Sequence, residues 1–241
     1  RKSNERVVNL RKYFEVAQLG RLENAELIPA IACRRLSITE KGDFALIAWA
    51  QRAKIEARYI ETTRTNLCEL EKRLPEIRAL TLKEPSSFCE ELSDLLTNCG
   101  IAPVFLPHLS GSFLHGATFY DNGKIVMGLT LRGKDADRFW FSLFHEIGHI
   151  MLGHLTKSTG ADNADEEAAD CFAKDVLIPP DEYNSFLKKS IFKREAIIDF
   201  AASIGIAPGI IVGRLQKEGH IDFNQLNDLK VKYDLTSNAD F

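Results

Sequence analysis

The sequence predicts an α+β fold that is mostly helical and contains one small, three-stranded twisted sheet. Most of the chain carries apolar residues at helical spacing, with prolines, glycines and polar residues between the segments. The spacing changes between residues 101 and 132, where a short apolar run precedes two segments of alternating polarity. With 241 residues, 45% of them hydrophobic, the chain can bury a core in one or two domains.

Helical segments fill most of the first hundred residues. Pro75 predicts a break in the fourth of them, Pro85 is well placed to open the fifth, and Gly100 to close it. The predicted helices span residues 5–19, 25–34, 39–59, 67–80 and 85–99.

The three predicted strands follow. Residues 101–106 form a short apolar strand, and residues 112–119 and 124–132 alternate on either side of Asp121-Asn122-Gly123, a sequence typical of a hairpin turn. We expect this sheet to pack beside the next helix. His115 and Tyr120 lie in the hairpin and are candidates to stabilise an oxyanion; alternatively, each is an exposed strand residue.

The stretch FWFSLFHEIGHIMLGH, residues 139–154, contains His145, Glu146 and His149 in the spacing H-E-x-x-H. Two histidines four residues apart share one helix face, from which both can bind one Zn²⁺, and Glu146 can reach a water on that metal. The flanking residues are apolar, so the helix should be buried, and buried polar groups without partners are costly. A five-residue pattern can also arise by chance, so a third ligand is needed.

Glu166 and Asp170 lie on a second predicted helix, which Asp162 or Asn163 caps and which Pro179 and Pro180 end. The spacing E-x-x-x-D, seventeen residues after His149, resembles the gluzincin arrangement. That resemblance implies that Glu166 is the third ligand and that Asp170 orients a ligand histidine. The alternative is a solvated acidic face formed by Glu166, Glu167 and Asp170.

Two other residues compete for the role of third ligand. His154 follows His149 by five residues, which rotates it off the ligand face, and the metzincin pattern needs six. We interpret His154 as a residue at the C-terminal end of the helix, where the helix dipole favours it. Glu167 points about 100° away from Glu166 on the same helix.

These motifs resemble the ImmA/IrrE family of metallo-endopeptidases. The resemblance rests on HEIGHIMLGH and EEAADCFAKDVLIPP, with support from residues 77–88, 116–132 and 205–219, and covers the chain from about residue 77 onwards. It implies a zincin-like metallopeptidase core with zinc ligands His145, His149 and Glu166, and Glu146 as general base. Asp170 stands where many members have Asn; either residue can accept a histidine N–H.

Family members of this layout carry an N-terminal helix-turn-helix DNA-binding domain of the phage-repressor (XRE) type. They are typically encoded with mobile elements, prophages or toxin–antitoxin-like loci, and well-studied relatives cleave a DNA-binding repressor. The sequence begins with Arg1 instead of Met, so we interpret it as a fragment that lacks that domain. Residues 1–80 carry a net charge of +5 and the rest −8. The basic N-terminal part suits a segment next to DNA, and it fits exposed helix faces equally well.

We expect three units: residues 1–80 as a helical connector after the missing DNA-binding domain, residues 81–188 as the metallopeptidase core, and residues 189–241 as a C-terminal helical subdomain. In that last unit, helices at residues 190–203 and 209–218 have helix-turn-helix spacing, after a helix at residues 181–188. Pro208, Gly209 and Ile210 would open the recognition helix and cannot read base edges, so we interpret the pair as a packing hairpin. The tail after Leu229 is expected to fray.

The expected location is the cytoplasm. No apolar run approaches the roughly 18 residues of a membrane span, and no signal peptide is visible. The cysteines are odd in number and unpatterned, which indicates reduced thiols instead of disulfides or a Cys-based zinc site. They are Cys33, Cys68, Cys89, Cys99 and Cys171.

The leading functional hypothesis is a zinc endopeptidase that acts on a protein substrate, expected to be a helix-turn-helix repressor or an antitoxin-type partner. The alternative is a non-cleaving transcriptional regulator or antitoxin-like protein that uses the zinc fold as a sensor or partner-binding module. A purely structural zinc site does not fit three ligands, an open position and an adjacent glutamate. DNA contact is expected only through the missing domain, and a homodimer is one possible assembly.

Overall fold

The computed structural model describes residues 2–23, 40–107, 116–130, 135–157 and 161–233. Mostly helical α+β architecture is confirmed. The predicted helix at residues 25–34 lies outside the described residues. The helices are α1 (Lys2–Phe14), α2 (Glu40–Ala57), α3 (Leu67–Ala79), α4 (Pro85–Thr97), α5 (Ala136–Met151), α6 (Asn163–Leu177), α7 (Pro180–Lys188), α8 (Arg194–Ile204) and α9 (Pro208–Lys217). The strands are β1 (Ile101–Leu106), β2 (Gly116–Asp121) and β3 (Lys124–Thr130).

Helix α1 ends earlier than predicted, at Phe14 instead of residue 19. Glu15 has a φ of 53°, which stops the helix. The end of α1 is fixed to α2, because the Tyr13 hydroxyl donates to the Ala48 carbonyl at 2.7 Å and the Gln51 side chain donates to the Tyr13 carbonyl at 2.9 Å.

Helix α3 runs through Pro75 without the predicted break. Proline removes the hydrogen bond to the carbonyl four residues earlier, that of Glu71. Glu71 is exposed, so water can take the place of that bond. Leu70 and Ile77 are fully buried on another face and hold the helix against the core.

The sheet has the order β1-β3-β2, with β1 parallel and β2 antiparallel to β3. The predicted hairpin is confirmed: Asp121 pairs with Lys124 across a two-residue turn. Asn122 and Gly123 both have positive φ, 48° and 81°, as the favoured two-residue hairpin turn requires. Strand β2 is therefore an edge of the described sheet.

Both faces of the sheet are covered. One face packs on α2, where Gly128 leaves the room that the Trp49 ring occupies. On the other face, Ile125, Met127 and Leu129 join the main core around α5. The sheet thus lies beside α5, as predicted, and holds β2 next to that helix.

The C-terminal helices pack onto the same core. Arg214 of α9 lies 3.8 Å from the Tyr183 ring centre and donates to the carbonyls of Lys174 and Ile178 at 3.1 and 3.3 Å. It therefore ties α9 to the end of α6. Residues 209–212 of α9 are buried, which agrees with the packing hairpin and not with a helix that reads DNA.

The chain was predicted to fray after Leu229, and for residues 230–233 that prediction is wrong. The Ala136 N–H donates to the Val231 carbonyl at 2.9 Å, and the Trp140 indole N–H donates to the buried Tyr233 hydroxyl at 2.7 Å. These contacts fix the chain across the start of α5. The main core crosses both predicted domain boundaries, since it joins residues from Leu70 to Tyr233.

Among the described residues, no single helix is both long and apolar enough to cross a membrane. Helices α8 and α9 meet that test only when taken together, across a bend of 115°.

Candidate metal centre

Helix α5 carries the H-E-x-x-H motif through the middle of the protein. His145, Glu146 and His149 are 7%, 2% and 0% exposed, so little solvent reaches them. Apolar residues surround them on the helix, and Phe144 and Ile147 are fully buried. The burial predicted from the flanking sequence is thus observed, and the three polar side chains depend on protein or ligand partners.

Helix α6 lies against α5 at the level of the motif. A capping box fixes its start: the Asp165 N–H donates to the Asp162 carboxylate at 3.0 Å, and the Asp162 N–H donates to the Asp165 carboxylate at 3.1 Å. Gly148 allows the close approach of the two helices, since a Cβ there would lie 3.2 Å from the Ala169 Cα. Sequence analysis did not assign this role to Gly148.

The two helices bring His145, His149 and Glu166 together around one point. The Nε2 atoms of the histidines are 3.1 Å apart, and the Glu166 oxygens lie 3.3 Å from His145 Nε2 and 3.5 Å from His149 Nε2. Tetrahedral zinc with ligands at about 2.0–2.1 Å separates its ligand atoms by roughly 3.3 Å. The three side chains can hold a metal ion, and their spacing is compatible with zinc.

The Glu166 carboxylate supports the same interpretation. Both of its oxygens are buried, and neither has a hydrogen-bond partner among the described residues. The nearby histidine nitrogens count as ion-pair partners only when they carry a proton. A buried carboxylate needs a positive charge beside it, which a protonated histidine or a bound cation can supply.

Burial and neighbouring charges shift the pKa values of the two histidines in opposite directions. Burial lowers the pKa of His145, but the Asp170 and Glu166 carboxylates beside its ring outweigh that effect and raise it to about 9. Burial and the neighbouring His145 charge lower the pKa of His149 to about 4. Without a metal, one proton between the rings offsets the carboxylate charge, and a divalent cation must displace that proton to bind.

Each histidine also has a partner on its other nitrogen. Asp170 Oδ1 lies 2.9 Å from His145 Nδ1, on the opposite side of the ring from Glu166, and Lys217 lies 3.6 Å from the second Asp170 oxygen. His154 Nδ1 lies 3.0 Å from His149 Nδ1. The interpretation of His154 as a helix C-terminal residue is wrong: α5 ends at Met151 and the following turn folds His154 back into the interior.

Glu146 faces β2. Its Oε2 accepts a hydrogen bond from the Thr118 hydroxyl at 2.5 Å, and burial raises its pKa to about 7. A Cβ on Gly116 would lie 2.8 Å from Glu146 Oε1, so the strand passes the carboxylate without a side chain between them. Sequence analysis missed both strand residues, although the two-residue period of the hairpin places them on one face.

The remaining candidates lie elsewhere. Glu167 is exposed, as its position on the helix predicted. Tyr120 is 50% exposed and is not part of the described cluster of His145, His149 and Glu166. His115 lies outside the described residues.

A cavity of about 280 Å³ opens beside the motif. Helix α5 forms one wall with Phe141, His145 and Glu146, and Lys217 of α9 and Phe223 lie among the other lining residues. The carboxylate of Glu146 thus borders a space large enough for a substrate side chain.

Comparison with protein-family models and with curated proteins gives no match to this chain. The resemblance to the ImmA/IrrE family therefore stays a prediction that rests on the motifs quoted above.

Proposed function

We propose that the protein is a zinc-dependent endopeptidase with a zincin-like core. The observation that carries the proposal is the convergence of His145, His149 and the buried Glu166 carboxylate on one point, next to a buried Glu146. Three protein ligands leave one position open, which is typical of catalytic and not of structural zinc.

Zinc bound by His145, His149 and Glu166 would supply a Lewis acid that acidifies water and polarises a carbonyl group. In this proposal Glu146 would accept the proton of the attacking water and deliver it to the leaving amine. Burial raises the pKa of Glu146 to about 7, and a cation beside it would lower that pKa again. The residue is then a carboxylate, and so a base, at neutral pH.

Thr118 and Gly116 prepare Glu146 for that role. The hydroxyl of Thr118 holds Oε2 at 2.5 Å, so the carboxylate has a fixed orientation before substrate arrives. The missing side chain at Gly116 leaves room for Oε1 beside the strand. A base held in a fixed orientation suits proton transfer to a single site.

An extended peptide is the substrate form that best fits the site. Strand β2 is an edge of the described sheet and passes directly beside Glu146, so a peptide could pair with it by β-augmentation. The adjoining cavity would then receive a substrate side chain. The family resemblance points to a helix-turn-helix repressor or antitoxin-type protein as the cellular substrate, and to control of a mobile-element, stress or defence locus.

The test uses the zinc-loaded protein and a repressor encoded at the same locus. Wild-type protein should cut the repressor at one position, identified by mass spectrometry, and a chelator should stop the cleavage. Glu146→Gln should bind zinc and repressor but leave the repressor intact. A repressor that binds and is never cut would favour the non-cleaving regulator instead.

A further inference from the structure

His149 has a buried partner that the proposed zinc ligation does not use. Its Nε2 faces the ligand cluster, and its Nδ1 lies 3.0 Å from Nδ1 of His154. His149 is 0% exposed and His154 only 7%, so water has little access to this pair. At this distance one Nδ1 must donate a proton and the other must accept it.

Metal ligation through Nε2 decides which ring donates. An imidazole that binds a cation through Nε2 carries its proton on Nδ1, so His149 must donate and His154 Nδ1 must accept. The proton of His154 is then on Nε2, which lies 3.3 Å from the Asp165 carboxylate. Each donor in this chain meets an acceptor.

Asp165 anchors the far end of the chain. Its carboxylate closes the capping box at the start of α6 and pairs with Lys157 at 2.5 Å. Glu166, the third ligand, is the next residue on the same helix. The contacts that orient His149 therefore also involve the turn that presents Glu166.

We infer that His154 is a positioning residue, which holds His149 in the tautomer that binds zinc and links that ring to the start of α6. Asp170 stands in the same relation to His145, at 2.9 Å from its Nδ1. Both ligand histidines thus have a protein partner on the nitrogen that faces away from the cluster. Partners of this kind typically change metal affinity 10- to 100-fold.

The test compares His154→Leu with His154→Asn. Leucine removes the acceptor and leaves the Nδ1–H of His149 buried without a partner. Asparagine places its side-chain oxygen near the position of His154 Nδ1 and restores an acceptor. The zinc dissociation constant, measured by competition with a chromophoric chelator, should rise about 10- to 100-fold for His154→Leu. His154→Asn should retain most of the wild-type affinity.

Leu92→Ala is the matched control for a purely structural effect. Leu92 is fully buried in α4 and takes no part in this hydrogen-bonded chain. The variant should lower the melting temperature while its zinc dissociation constant, measured where all proteins are folded, stays at the wild-type value. Long-range ¹H–¹⁵N NMR of the zinc-loaded wild type should show a proton on Nδ1 of His149 and on Nε2 of His154.

The outcomes separate this inference from the proposed function, on whose zinc site it rests. Wild-type zinc affinity in His154→Leu, or equal losses in the leucine and asparagine variants, would overturn the inference and leave the protease intact. Zinc binding with the expected tautomers but no cleavage of any repressor would overturn the proposed function and leave the inference about His154 standing. Failure of the wild type to bind zinc would overturn both.

Discussion

Replacing Gly116 by alanine should displace Glu146, the proposed general base, without removing any of the proposed metal ligands. The added Cβ would lie 2.8 Å from Cγ and Oε1 of Glu146, whereas ordinary contacts begin at 3.4 Å. The carboxylate must therefore move by about 0.6 Å, the difference between these two distances. Its buried position and the 2.5 Å hydrogen bond from Thr118 oppose that movement.

A misplacement of about 1 Å costs up to roughly 100-fold in rate, so we expect Gly116→Ala to lower kcat about tenfold or more. Zinc affinity should not change, because no ligand is among the three nearest atoms to the new Cβ. The backbone of Gly116 is not in the left-handed region, so alanine adds no backbone strain.

The assay is single-turnover cleavage of the repressor substrate, with the zinc dissociation constant measured in parallel. Gly128→Ala is the matched control, since its Cβ would overlap Trp49 on the opposite face of the same sheet. It should reduce stability and leave the cleavage rate of the folded protein unchanged. A Gly116→Ala protein that cleaves at the wild-type rate would refute the placement of Glu146 beside β2.

Three further predictions follow from the same contacts. Glu166→Gln should abolish the stabilisation by zinc, a free energy of about 2.7 kcal/mol at a hundredfold excess of zinc over its dissociation constant, as calorimetry with and without chelator can show. Tyr233→Phe should cost about 1–3 kcal/mol in urea unfolding, because the buried indole N–H of Trp140 loses its acceptor; an unchanged midpoint would contradict the clamp across α5. Zinc affinity should increase up to about tenfold per pH unit between pH 6 and 8, because His145, whose pKa is raised to about 9, must lose its proton; a flat profile in titrations would contradict that protonation.

The features that sequence predicted well have local causes. Asn122-Gly123 sets its own turn through two positive φ values, and the spacing of His145 and His149 fixes their shared helix face. Asp162, one of the two predicted candidates, caps α6 from the adjacent residue. These features need only neighbours in the chain.

The features that sequence did not predict depend on distant partners. The bond from Thr118 to Glu146 joins residues 28 positions apart, and the Trp140–Tyr233 bond joins residues 93 apart. The parallel pairing of β1 with β3 is equally non-local. His154 was misplaced because helical spacing was extended past Met151, whereas Gly153 has a φ of 75° and turns the chain.

X-ray absorption at the zinc edge of the loaded protein tests the metal centre most directly. The structure predicts two imidazole nitrogens, one carboxylate oxygen and one further light atom at about 2.0–2.1 Å from the metal. Glu166→Ala should lose the carboxylate contribution. A sulfur neighbour at about 2.3 Å, or a spectrum that Glu166→Ala leaves unchanged, would contradict the assignment of His145, His149 and Glu166 as the ligands.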